Sequence, residues 1–186
     1  MRKVAKLMGI SLLVLGLAAC DGDTKDSKAP AGDATASAQA GPVSLLGGKL
    51  TFTLPNGMAD QSSKLSQQST NRHVFADSTG QRALIVIVGD KPADSLETLA
   101  QNMEQQQRSR DTNLQVITNK VVDINGVALR QLDSIITSGG QKAYSSILFG
   151  ELGNQLLTIQ VTLPADNQQQ AQSEAAGIIS SLKLQP

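Results

Sequence analysis

Four side chains stand out as candidates for nucleophile or base in this chain: the lone thiol of Cys20, the lone imidazole of His73, and the adjacent hydroxyls of Ser145 and Ser146. A Ser-His-Asp hydrolase would have to use His73, yet no Gly-x-Ser-x-Gly elbow presents a serine to it. The serines share a strand-like run with Tyr144 and are expected on the polar face of a sheet. His73, also on a strand, reads as structural or exposed. A zinc site needs several Cys or His ligands, which the folded domain lacks. Asp21-Gly22-Asp23 lacks the rest of a calcium loop. No Walker loop and no Gly-x-Gly-x-x-Gly after a strand is present. No catalytic residue, metal or cofactor is expected.

Cys20 has a different chemistry. Met1–Lys6 carries three positive charges, Leu7–Leu17 is almost wholly apolar, and small residues precede the thiol. That is a secretory signal, too short in its apolar run to span a bilayer. Leu17-Ala18-Ala19-Cys20 resembles the lipobox of bacterial lipoproteins, in which the thiol receives a diacylglyceryl group and the signal is cut before it. Two or three acyl chains, at about 0.8 kcal/mol per buried methylene, hold a protein firmly to a membrane. Asp21 resembles the residue that keeps such lipoproteins of Gram-negative bacteria in the inner membrane. The expected products are a signal over 1–19, a lipidated Cys20 with a flexible tether over 20–42, and a folded domain over 43–186.

Composition fits this division. Asp21–Pro42 has no Leu, Ile, Val, Met or aromatic residue, so it cannot bury enough apolar surface to offset its ordering entropy. Its r.m.s. reach is roughly 25 Å. Cleavage removes Arg2, Lys3 and Lys6 and no acid, leaving 13 basic against 16 acidic side chains, a formal charge of −3. A mildly acidic chain with 2% aromatic residues has neither the electrostatic footprint nor the stacking surface for nucleic acid. With Cys20 its single cysteine, the domain forms no internal disulfide and stands on an aliphatic core.

The elements follow from periodicity. Lys49–Leu54 alternates as a half-buried strand and Pro55-Asn56-Gly57 turns it. His73–Ala76 is a short strand, and Ala83–Val88 a continuous apolar one suited to cover on both faces. Asp94 and Glu97 form a capping box for a helix ending near Arg108, with Leu96, Leu99, Ala100 and Met103 as its stripe. Leu114–Ile124 and Val127–Thr137 flank Asn125-Gly126, the strongest short hairpin signal. Ala143–Gly150 and Leu156–Leu163 complete an antiparallel meander with one buried and one polar face. Asp166 and Gln169 cap a second helix, striped by Ala171, Ala175, Ile178, Ile179 and Leu182, where Gly177 would allow close packing on the sheet. Arg108-Ser109-Arg110-Asp111 reads as a charged helix end. The fold class is α+β: an antiparallel sheet packed with two amphipathic helices.

The chain resembles the DcrB family of bacterial inner-membrane lipoproteins over its whole length. The resemblance rests on Cys20-Asp21, on the run Gln106–Asp111, on Thr118-Asn119-Lys120, on Gln131–Ile136, on Ala143–Ser146, on Gly153–Thr158 and on Leu163–Asp166. It implies a PsbP-like fold, a periplasm-facing envelope role through a protein partner, and an association with bacteriophage uptake. It supplies no catalytic motif. Two further partners follow from the residues alone. An aliphatic sheet beneath two helices could bind a small apolar ligand or lipid, and long strands joined by Gly-rich turns could exchange between copies to form a homodimer.

Overall fold

The computed structural model describes residues 41–64, 70–138 and 140–185. The expected products at 1–19, Cys20 and Asp21 lie outside these residues. Strand β1 (Gly41–Leu45) takes in Gly41 and Pro42, two residues assigned above to the tether. Pro42 is tolerated because β1 is an edge strand, where a missing N–H breaks no ladder.

Among the described residues ten strands form two sheets. β1, β2 (Leu50–Leu54) and the two-residue β10 (Lys183–Leu184) make the smaller one, in the order β1-β2-β10. The larger holds β3 (Met58–Asp60), β4 (Arg72–Asp77), β5 (Ala83–Asp90), β6 (Gln115–Ile124), β7 (Val127–Ser138), β8 (Gln141–Leu152) and β9 (Gln155–Pro164). Its order is β3-β4-β5-β9-β8-β7-β6, antiparallel throughout. The β6–β7 hairpin turns on Asn125 and Gly126, at φ 55° and 82°, the left-handed pair that a two-residue loop demands.

Helix α1 (Leu96–Arg110) and helix α2 (Gln168–Ser181) lie on opposite faces of the large sheet. Ala171, Ala175, Ile178 and Leu182 enter the main core with Leu148, Ile159, Val161 and Leu163 of the sheet, and with Leu50, Phe52 and Leu54 of β2. Phe52 meets Phe75 edge-on, with ring centroids 5.5 Å apart. On the other face, Leu96, Leu99, Ala100 and Met103 cover Ile147 and Phe149. The expectation of one buried and one polar face therefore fails at β8, where Tyr144 to Gly150 are all buried. β5 departs the other way: Leu84, Val86 and Val88 are buried, while Ile85 and Ile87 are only partly covered because α1 does not reach them.

Both helix starts fall one residue later than the capping boxes suggest. Ser95, not Asp94, caps α1 and accepts from Thr98 N at 3.2 Å. Asn167, not Asp166, caps α2 and accepts from Gln170 N at 3.2 Å. Each capping oxygen must reach the N–H three residues on, and these are the residues adjoining the first helical turn. Gly177 is exposed and a Cβ there would meet nothing within 4 Å, so close packing is not its role.

Candidate functional site

The runs Gln131–Ile136 and Ala143–Ser146 come together on β7 and β8. Asp133 lies directly across from Ser146, Ile135 from Tyr144, and Gln131 from Leu148. Opposed residues share a face, and this one looks into the main core. The result is a buried polar cluster. Ser146 Oγ donates to Asp133 Oδ1 at 2.5 Å, and Gln131 Nε2 donates to Oδ2 at 2.8 Å. Asp133 is 4% exposed and Ser146 not at all. The Tyr144 hydroxyl is held well above its ordinary pKa by burial, then by the Asp133 charge and its hydrogen bond.

The opposite face of the same ladder carries a second polar pair. Ser134 and Ser145 are opposed on β7 and β8. Ser134 Oγ donates to Gln107 Oε1 of α1 at 3.1 Å, while Ser145 Oγ is buried without a partner. Both serines were expected on a polar sheet face; both are sealed, Ser145 beside α1 and Ser146 in the main core. At the end of α1, buried Asp111 accepts from Thr137 N at 2.6 Å and Asn113 N at 2.8 Å, tying the helix to β7. Its neighbours bond locally: Arg108 with Glu104, and Ser109 with the Gln106 carbonyl. The charged run is a helix terminus, as read.

His73 lies on β4 across from Val86, in a row continuing through Ile159 to Leu148. Three strand spacings separate it from β8, about 14 Å. Among the described residues no Ser-His-Asp arrangement assembles. Among the described residues no group of His, Cys, Asp or Glu could hold a metal ion. Surface depressions along the first turns of α2 are lined by Arg82, Asn167, Gln170 and Glu174 together with the apolar Leu163, Pro164 and Ala171. Arg82 is tied there by its ion pair with Glu174 and by the Asn56 carbonyl. The cluster's chemistry is therefore cohesive: it locks β7 to β8 in one register.

Tyr144 gives this arrangement a pH signature. Its pKa is raised on folding from about 10, so the unfolded chain loses the proton first. The contribution is complete below pH 10 and is lost as pH rises beyond it, at up to about 1.4 kcal/mol per pH unit. Denaturant melts between pH 8 and 11 are expected to fall more steeply for wild type than for Tyr144→Phe; equal slopes would contradict the assignment.

Comparison with known proteins places this geometry. The DcrB family model matches residues 50–181, which include both helices up to Ser181 and the whole polar cluster. The chain belongs to the DcrB family. The inner membrane lipoprotein DcrB of Shigella flexneri is 54% identical over 185 residues, covering all of both chains. The match covers the N-terminal residues as well as the domain, and this DcrB family member is a membrane lipoprotein of the envelope. The DcrB domain also shares its fold with more distant structures. Cyanobacterial PsbP from Synechocystis sp. PCC 6803 aligns with TM-score 0.59 at 15% identity, over 84% of this chain and 98% of that one. The Ran-binding protein Mog1p of Saccharomyces cerevisiae gives 0.56 at 14%, over 80% and 96%. LpqN of Mycobacterium tuberculosis, involved in cell envelope biogenesis, gives 0.53 at 12%, over 80% and 91%. At such identities the likeness concerns the fold, and the PsbP-like expectation holds.

Proposed function

We propose that this protein is held in the inner membrane by lipid on Cys20, kept there by Asp21, and presents its α+β domain to the periplasm. It acts without catalysis, by binding another envelope protein, and bacteriophages exploit it during adsorption or DNA entry. The observation that carries this reading is the full-length likeness to an inner membrane lipoprotein, which spans the lipobox as well as the domain. The sealed state of Ser145, Ser146 and Asp133 supports a binding role, because no substrate reaches these groups. A module for a small apolar ligand gains no such support: the depression beside α2 sets Leu163, Pro164 and Ala171 among the charged Arg82, Asp166 and Glu174, and the aliphatic side chains between sheet and α2 pack on one another.

Membrane fractionation tests the anchor. Wild type is expected in the inner membrane, Cys20→Ala as an uncleaved or soluble form, and Asp21→Ser in the outer membrane. Wild type found in the outer membrane would overturn the sorting role. Crosslinking in intact cells tests the rest: recovery of one envelope partner, with reduced phage entry on deletion, is the expected result.

A further inference from the structure

β6 is the last strand of the large sheet, and among the described residues nothing pairs with its outer edge. The two-residue loop at Asn125-Gly126 makes Ile124 and Val127 a hydrogen-bonded pair. By alternation Val122 and Lys120 also bond inward to β7. The outward N–H and C=O groups therefore belong to Asn119, Val121 and Asp123. Val121 is 61% exposed, a large apolar side chain at the middle of this edge. A bulge between Val116 and Thr118 breaks the ladder at its start. A seven-residue edge, Thr118–Ile124, remains open to a partner strand.

We infer that this edge pairs with the same edge of a second copy of the chain, antiparallel and centred on Val121. A twofold axis relating two such strands must stand perpendicular to the sheet, so opposed residues keep the same face. Centred on Val121, the register sets the two Val121 side chains against each other. It sets Asn119 against Asp123 of the second copy, Lys120 against Val122, and Thr118 against Ile124. No like charges oppose, and every outward backbone group meets an outward group. Centring one residue pair earlier, on Lys120, would set lysine against lysine.

Charge complementarity also selects this register. Arg130 on β7 lies across from Val121 and sends Nε to Asn119 Oδ1 at 2.8 Å. Its guanidinium thus leans toward the position that Asp123 of the second copy would take beside Asn119. The axis repeats this ion pair twice. Seven residues per copy bury less than a standard interface, so the pairing depends on concentration. Confinement to one membrane raises that concentration, a step that rests on the proposed lipid anchor. Each copy uses this edge once, so the assembly closes as a dimer.

A thiol crosslinker of about 8 Å, applied to membranes carrying the full chain, tests the inference by reaching across opposed strands. Val121→Cys is expected to give at least about tenfold more crosslinked dimer than Ser173→Cys, an exposed site on α2. Adding Arg130→Glu, which sets two carboxylates together, is expected to cut that yield about tenfold, and adding Asp123→Arg as well to restore it. Equal yields from Val121→Cys and Ser173→Cys would overturn the inference, as would a crosslink from Val121→Cys to a different protein in place of a second copy. If the charge variants fold poorly, the comparison of the two single cysteines still decides. Wild type distinguishes failure of the anchor: crosslinking through Cys20 would mean that its thiol is free, which counts against lipidation and leaves the β6 comparison standing.

Discussion

Asp133→Ala is expected to lower the stability of the folded domain by about 2–4 kcal/mol, among the largest effects of any single replacement in it. Asp133 accepts hydrogen bonds from Ser146 Oγ and Gln131 Nε2, beside the Tyr144 hydroxyl that also bonds to it, in a region closed to water. Removing the carboxylate leaves the Ser146 and Gln131 donors, and the Tyr144 hydroxyl beside them, without this acceptor, and each buried orphan costs about 1–3 kcal/mol. It also leaves a small cavity beneath the main core. Asp133→Asn separates these causes. It keeps the volume and an acceptor for Ser146, but it turns an amide N–H₂ toward Gln131 Nε2. A loss of roughly half that of Ala is expected, since the Ser146 bond survives while the Gln131 bond is lost. Urea unfolding of wild type and both variants at pH 7 measures this. If Ala is no less stable than wild type, the cluster does not hold β7 to β8. Removing the Asp133 charge should also reduce the alkaline sensitivity expected of Tyr144.

The meander, its turns and the apolar stripes of both helices are legible in the sequence because each is local: an alternation, a Gly-rich turn, a period of 3.6. The polar cluster is not. Alternation in Gln131-Leu132-Asp133-Ser134-Ile135 tells which residues share a face, but not which face is inward when both are covered. Leu132 is buried on the α1 face, and Asp133 on the other. Reading Ser145 and Ser146 as solvated follows from assuming one dry face, and α1 removes that assumption. The small sheet is hidden for another reason. β1 begins with Gly41-Pro42, a poor strand signal, and β10 has two residues; both exist by pairing with β2, and β10 reaches it across more than a hundred residues. The exposure of Val121 is equally unreadable, because nothing local marks β6 as the sheet's last strand. Cys20 is the opposite case. The expectation placed on it rests on four adjacent residues, Leu17-Ala18-Ala19-Cys20, and on no tertiary contact.

Gly150→Ala is expected to destabilise the domain by about 3 kcal/mol, and the reason is the approach of two strands rather than a turn. Gly150 lies on β8 with its missing side chain directed at β7. A Cβ there would stand 2.5 Å from Leu129 Cδ2, 2.7 Å from the Ala128 carbonyl oxygen and 3.2 Å from Leu129 Cα. The leucine side chain could rotate, but it is fully buried among core neighbours. The carbonyl and Cα belong to the β7 backbone and can yield only if the strand shifts. The strands are therefore forced apart at one end of the β7–β8 pairing, next to the Arg130–Phe149 pair. A shift in Tm of roughly 6–12 °C corresponds to a loss of this size. Gly177→Ala is the matched control. It adds the same methyl group, in α2, where nothing lies within 4 Å. Helix propensity alone should make it up to about 1 kcal/mol more stable than wild type. Opposite signs from the same chemical change would locate the cost in the β7–β8 contact. A neutral Gly150→Ala would show instead that β7 can move away from β8, and the register that positions Asp133 against Ser146 would then need another source of rigidity.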